Sequence, residues 1–218
     1  MIVFAAGMRR AGSTVVFNIT KELVETIGGR ALRLQEHTID QILQHTESRQ
    51  LVVVKAHALH KQLVPFVENS FVLMSVRDIR EVCGSVMRLM HLNFNDVINK
   101  NLLGGYISEQ QTWNAVSIKY FRRYEDWVGN LQMETLSIAS YLQLDVSRET
   151  CKDIAEKWSI RNVQEHLKTV AGTHFETLFG PKHITSTFEQ TENGLSQEQI
   201  DILNSKYGWW LEENGYAC

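Results

Sequence analysis

The sequence contains little proline, little cysteine and no long hydrophobic run. Pro65 and Pro181 are the only prolines among 218 residues, so few positions force a helix to end and long helices are expected. Cys83, Cys151 and Cys218 are odd in number and far apart, which argues against a disulfide framework and against a zinc site. The composition therefore predicts an ordinary globular chain with free thiols.

Two further absences bear on location. No apolar run reaches the roughly 20 residues that span a bilayer, and no basic flank precedes the apolar start at residues 2–6, as it does in a signal peptide. We therefore expect a cytoplasmic protein that does not contact membranes. The sequence indicates no particular oligomeric state.

The net charge of −3 is unevenly spread along the chain. Residues 1–90 hold 11 Lys and Arg against 8 Asp and Glu, whereas residues 91–218 hold 11 against 17. No basic stripe with interleaved aromatic residues is present, so nucleic acid is not an expected partner. The basic first half fits a small anionic ligand instead.

Three short apolar runs, at residues 2–6, 51–54 and 71–76, have the composition of strands that are buried on both faces. A helical pattern follows the first run, and helical patterns separate or follow the others. Strands that alternate with helices predict a parallel sheet covered on both sides. We therefore predict one α/β domain, residues 1–218, with three layers, α/β/α, around a central and mainly parallel sheet.

The second half of the chain is predicted to be almost entirely helical. Helices are expected at residues 131–142, after Ser147 and after Ser196, and a long loop is expected at residues 171–194. A stripe of period 3.6 predicts a further helix over residues 113–127. Its members are Trp113, Val116, Tyr120, Tyr124 and Trp127.

A phosphate-binding loop is predicted between the first strand and the first helix. Residues 7–14 have the frame G-x-x-x-x-G-x-T, and a helix N-terminus offers backbone N–H groups and a positive dipole end. The loop is P-loop-like, but Ser13 stands where a nucleoside triphosphatase has its lysine, and no apolar strand ends in an Asp that would hold Mg²⁺. Positive charge comes from Arg9 and Arg10. The loop therefore suits a phosphate ester that needs no metal.

Two other strand ends carry polar side chains. Arg77 follows the third strand, and Ser85 lies two turns along the helix after it, where it is expected to face a second phosphate group. Lys55 and His57 are two residues apart at the end of the second strand, so they project to one side. A cation and an imidazole beside an anion site suggest charge stabilisation and a general base.

These motifs together resemble the cytosolic-type sulfotransferases that use 3′-phosphoadenosine 5′-phosphosulfate (PAPS). Residues 10–14, R-A-G-S-T, resemble the family's 5′-phosphosulfate loop, and Arg77 with Ser85 matches its 3′-phosphate motif. Residues 55–57, K-A-H, resemble its K-T-H motif, and residues 124–126 match its Y-E-D. The motifs stand in the family's order, and the resemblance extends from residue 5 to residue 216.

The resemblance implies a transferase that moves a sulfuryl group from PAPS to a hydroxyl or amine of a small acceptor and leaves adenosine 3′,5′-bisphosphate (PAP), without a metal. It implies His57 as the general base and Lys55 and Arg10 as the groups that stabilise charge on the transferring group. The family's basic R-K-G near the C-terminus is missing, which leaves Lys182 as the nearby candidate. The donor-binding residues that it implies are Arg9, Arg10, Ala11, Gly12, Ser13, Thr14, Arg77, Ser85, Tyr124 and Lys182.

Other interpretations stay open at this point. A P-loop kinase or nucleoside triphosphatase is one, and Ser13 counts against it; a non-catalytic nucleotide-binding protein of the same fold is another. If the chain is a sulfotransferase, the resemblance implies that Tyr124 contacts adenine. The alternative is that Tyr124 is an aromatic residue on the core face of a helix. An apolar wall of the acceptor pocket is expected from Met87, Met90, Leu92 and Phe94.

Overall fold

The chain folds around a five-stranded parallel sheet in the computed structural model, which describes residues 1–33, 42, 51–116, 120–169 and 194–217. The sheet order is β2-β3-β1-β4-β5, and each neighbouring pair is parallel. The predicted α/β class with a parallel sheet is therefore confirmed. The strands are β1 (Ile2–Gly7), β2 (Arg30–Arg33), β3 (Val52–Ala56), β4 (Ser70–Val76) and β5 (Tyr120–Arg123).

Helices fill most of the rest of the described chain. The predicted caps of two of them are confirmed, because Ser147 accepts a hydrogen bond from the N–H of Thr150 and Ser196 accepts one from the N–H of Gln199. The helices are α1 (Ser13–Thr26), α2 (Val64–Val67), α3 (Ile79–Met90), α4 (Phe94–Asn99), α5 (Leu102–Gln111), α6 (Tyr124–Trp127), α7 (Leu131–Tyr141), α8 (Arg148–Lys157), α9 (Ile160–Thr169) and α10 (Gln197–Glu213).

The sheet is buried on both faces, which explains the continuous apolar runs of its central strands. Val3 and Ala5 of β1 pack into one cluster with α1, α7 and α8. Ile2 and Phe4 point the opposite way, into a second cluster that contains Trp113. Alternate residues of one strand thus serve two cores.

The predicted helix over residues 113–127 is wrong. Among the described residues of this range, Trp113 lies in a 3₁₀ turn, Tyr120–Arg123 form strand β5, and Tyr124–Trp127 alone are α-helical. Trp113 and Trp127 belong to cores on opposite faces of the sheet, which a single straight helix over these residues could not reach. Pairing with the edge of β4 overrides the local pattern, because it satisfies the backbone hydrogen bonds of β5.

The described residues bear only in part on two other expectations. The loop predicted at residues 171–194 lies outside the described residues, apart from Gly194. Within the described ranges, no helix combines the length and the apolar character that crossing a membrane requires.

Candidate active site

The sheet order brings the predicted motifs together. β1 lies between β3 and β4, and the strands are in register such that Ala5 pairs with Lys55 and Gly7 pairs with Ser75. The loop after β1 therefore has residues 55–57 on one side and Arg77 on the other. The carboxyl end of a parallel sheet is where ligands of α/β proteins bind.

Gly12 shapes the loop because no other residue fits there. Its φ is +75°, and a Cβ atom would lie 2.7 Å from the ring of Trp127 and 2.8 Å from that of Tyr124. Helix α1 begins at the next residue, and no side chain of the described chain caps it. Its first backbone N–H groups are consequently oriented towards the loop, as an anion site requires.

Lys55 brings a positive charge to the start of α1. Its Nζ donates a hydrogen bond of 2.7 Å to Oγ1 of Thr14. In a nucleoside triphosphatase the hydroxyl at this position binds Mg²⁺, and the lysine stands one residue earlier, where this chain has Ser13. The ammonium group of Lys55 thus donates a hydrogen bond to the hydroxyl that binds the metal in a nucleoside triphosphatase.

His57 is held in the tautomer of a base. Its Nδ1 lies 2.9 Å from the backbone oxygen of Gly7. Because a carbonyl oxygen only accepts, Nδ1 carries the proton of the neutral ring and Nε2 has a free lone pair. Burial, and then the charge of Lys55, lower the pKa of His57 from 6.5 to about 4, so the ring is neutral at neutral pH. Trp113 donates a hydrogen bond of 3.2 Å to the backbone oxygen of His57 and fixes this segment.

A second polar cluster lies on the other side of β1. Nε of Arg10 donates a hydrogen bond of 3.0 Å to Oγ of Ser85, so Arg10 lies with the residues predicted to hold the 3′-phosphate. Arg77 contacts the backbone oxygen of Arg10 at 3.4 Å and forms an ion pair of 3.3 Å with Glu81. Its guanidinium also lies 4.4 Å from the ring centroid of Tyr124. Four of the predicted donor ligands therefore meet here.

The cluster has the properties of an anion site. Burial, and then the charge of Arg77, lower the pKa of Arg10 below its ordinary value. Nε of Arg77 is buried and has no hydrogen-bond partner among the described residues. A buried charged donor without a partner costs free energy, which a bound phosphate would recover. The residues present thus fit the second phosphate of PAPS or PAP.

Arg9 points elsewhere than the resemblance implies. Its guanidinium forms a bidentate ion pair with Glu109 on α5, at 2.7 and 2.9 Å. Both charges are close enough to His57 to act on its pKa: the charge of Arg9 lowers it, and the charge of Glu109 raises it. Arg9 therefore lies on the His57 side of the loop, and its charge is already paired with that of Glu109. No sequence signal links Glu109 to this loop, because the two are 100 residues apart.

The residues expected to form an apolar wall lie at or near the core around α3 and α10. Phe94 is buried in the core around α3 and α10, where Met87 and Leu92 pack against the same cluster. Met90, in contrast, is 47% exposed. Lys182 lies outside the described residues.

The Y-E-D motif has a structural role that the sequence did not predict. Glu125 accepts a hydrogen bond of 2.9 Å from the hydroxyl of Tyr216 and another of 3.1 Å from the backbone N–H of Asp78. Asp78 is the N-cap of α3, the residue directly after Arg77. Glu125 thus joins the C-terminal tail to the point where the chain leaves β4.

Comparison with known proteins supports the fold that the sequence predicted. No family model matches the chain, and no curated protein does. Among solved structures, mouse sulfotransferase SULT7A1 complexed with PAP is similar at a TM-score of 0.68 and 13% identity, over 96% of this chain and 83% of that one. Retinol dehydratase in complex with androsterone and the inactive cofactor PAP is similar at a TM-score of 0.65 and 14% identity, over 98% of this chain and 80% of that one. This chain therefore has the fold of the PAP-bound sulfotransferases.

Proposed function

We propose that the chain is a sulfotransferase that moves a sulfuryl group from PAPS to a hydroxyl or amine of a small acceptor. The observation that carries the proposal is the presence of two anion sites on either side of β1. Lys55 and the start of α1 form one, and Arg10, Arg77 and Ser85 form the other. A donor with phosphate groups at its 5′ and 3′ positions needs two such sites, whereas a nucleoside triphosphate needs one.

The contact between Lys55 and Thr14 argues against a kinase or nucleoside triphosphatase. A Mg²⁺ ion that bound the Thr14 hydroxyl would meet an ammonium group 2.7 Å away from it. Two cations bound to the same oxygen atom repel each other in a partly buried site. A lysine can supply the charge that a metal supplies elsewhere, so the geometry favours transfer without a metal.

Each side chain has a defined task in the proposed reaction. PAPS supplies an activated sulfuryl group when it is bound. Nε2 of His57 accepts the proton of the acceptor, because Nδ1 is already committed to the backbone oxygen of Gly7. Lys55 places a positive charge where the 5′-phosphate leaves, and the second cluster orients the donor through its 3′-phosphate.

The acceptor is proposed to be a small molecule with a hydroxyl or an amine. One of the similar structures holds androsterone with PAP and another holds retinol with PAP, which supports a small acceptor here. The surroundings of His57 are polar, since the ion pair of Arg9 and Glu109 lies close to it. The cytoplasmic location and the single domain over residues 1–218 stay predictions from the sequence.

Donor binding is tested by isothermal titration calorimetry with PAP and, separately, with Mg·ATP. We expect PAP to bind and to bind more tightly than Mg·ATP, because the described residues form two proposed anion sites and Lys55 occupies the Thr14 hydroxyl that would bind the metal. Absence of PAP binding would overturn the proposal. Tighter binding of Mg·ATP would favour a kinase or triphosphatase instead.

Transfer is tested by release of PAP from PAPS in the presence of phenols, sugars, lipids and amines. His57→Ala is expected to lower the acceptor-dependent rate by about 100-fold or more while PAP still binds, because a general base contributes roughly that factor. His60→Ala is the matched control, since His60 is exposed and three residues away. If His57→Ala transferred as fast as the control, His57 would not be the base. PAP binding without transfer to any acceptor would favour a non-catalytic nucleotide-binding protein.

A further inference from the structure

A third arginine lies beside the second anion site, although it belongs to no motif in the sequence. Arg88 stands in the last turn of α3, three residues after Ser85 and seven after Glu81. These spacings place all three on one face of the helix. Long helical side chains point back towards the N-terminus of their helix, so the guanidinium of Arg88 extends towards Ser85.

Arg88 is partly buried, and one of its donors is unsatisfied within the described residues. Its Nε is inaccessible to solvent and has no hydrogen-bond partner among the described residues. The ion pairs of the described residues do not include it either. Its charge nevertheless lowers the pKa of both Arg10 and Glu81, so it lies close to each of them.

The charges of this cluster do not balance without a ligand. Arg10, Arg77 and Arg88 contribute three positive charges, and Glu81 and Glu125 contribute at most two negative charges. The guanidinium groups of Arg77 and Arg88 each have a buried Nε that no described residue hydrogen-bonds. The excess of positive charge favours a bound phosphate monoester, which carries about −1.5 to −2 near neutral pH.

We infer that Arg88 is a ligand of the second phosphate group and gives the site its preference for a 3′-phosphorylated nucleotide. The inference rests on the proposed function and adds to it a residue that determines donor specificity. The 5′ site is less suited to Arg88, because it is built around Thr14 and Lys55 on the opposite side of β1. Arg88 shares its helix face with Ser85, whose hydroxyl marks the 3′ site.

Calorimetry with two nucleotides tests the inference without any turnover. PAP and adenosine 5′-monophosphate differ only by the 3′-phosphate, so the ratio of their Kd values reports on that group alone. We expect Arg88→Gln to raise the Kd for PAP by about tenfold or more, which is the factor for losing a charge-assisted hydrogen bond. The Kd for adenosine 5′-monophosphate is expected to change by less than about twofold. Arg88→Lys keeps the charge and is expected to restore part of the loss. Arg161→Gln removes the same charge from a side chain that is 86% exposed, and is the matched control.

The outcomes separate this inference from the proposed function. A wild-type chain that does not bind PAP refutes both. A wild-type chain that prefers PAP, with a preference that Arg88→Gln leaves intact, refutes only the role of Arg88. Equal weakening of both nucleotides, or a similar loss in Arg161→Gln, refutes it as well. Far-UV circular dichroism of each variant establishes that the comparison is made between folded proteins.

Discussion

The low pKa of His57 makes the stability of the protein depend on pH in a way that one substitution removes. The folded chain holds the imidazole neutral, because it is largely shielded from solvent beside Lys55 and donates Nδ1–H to the backbone oxygen of Gly7. The unfolded chain lets the same ring take up a proton near pH 6.5. Between these two values the unfolded state binds more protons, so stability falls as the pH falls.

The magnitude follows from the two pKa values, 6.5 in the unfolded chain and about 4 in the folded one. A shift of that size corresponds to about 3 kcal/mol once the pH is well below both values. Lowering the pH from 7 to 4.5 develops most of it, about 2 kcal/mol. The stabilising contribution is thus complete above about pH 6.5 and is lost progressively as the pH falls from there to the folded-state pKa of about 4.

Urea unfolding at pH 7 and at pH 4.5, followed by tryptophan fluorescence, measures the effect. The measured quantity is the decrease in unfolding free energy between the two pH values, in wild type and in His57→Gln. The contributions of the other titrating groups cancel when the two decreases are subtracted. We expect the wild type to lose about 2 kcal/mol more than His57→Gln. His60→Gln, at an exposed position, is expected to behave as the wild type does. Equal losses in wild type and His57→Gln would show that His57 is not held neutral by the fold.

Three other substitutions test the local geometry. Gly12→Ala is expected to destabilise the chain by about 2 kcal/mol or more in urea unfolding, because a positive φ and a close aromatic ring both oppose a Cβ; a loss below about 0.5 kcal/mol would contradict the loop geometry. Tyr216→Phe removes the hydrogen bond to Glu125 and is expected to cost about 1 to 2 kcal/mol in the same assay, and an unchanged urea midpoint would mean that the tail is not anchored there. Lys55→Met is expected to weaken PAP binding by about tenfold in calorimetry, while exposed Lys61→Met leaves it unchanged; equal affinities would remove Lys55 from the donor site.

Much of the site was predictable because its residues lie directly at the ends of apolar strands. The carboxyl ends of parallel strands meet at one edge of a sheet, so Lys55, His57 and Arg77 were expected near the loop after β1. The structure bears out this convergence of strand ends. What spacing could not give was the use of each side chain, as Arg9 illustrates: it pairs with Glu109, which lies 100 residues away.

The same distinction explains the error in the second half of the chain. A period of 3.6 predicted one helix over residues 113–127, but a strand forms at residues 120–123 because the edge of β4 is there to pair with it. Phe94 packs in the core beside α3, a contact that its apolar character alone does not specify. A local pattern records which residues are apolar, whereas the partner that covers them is set by distant parts of the chain.

The sequence by itself determined the parallel α/β architecture, the glycine loop and the polar strand ends, since these depend on short-range patterns and on the geometry common to parallel sheets. Only the tertiary structure decided how those groups act. It placed Lys55 on the Thr14 hydroxyl, fixed the tautomer of His57 against Gly7, and gathered Arg88 with Arg10. Hydrogen bonding, burial and charge repulsion depend on distances between groups that are far apart in the chain, and folding alone sets those distances.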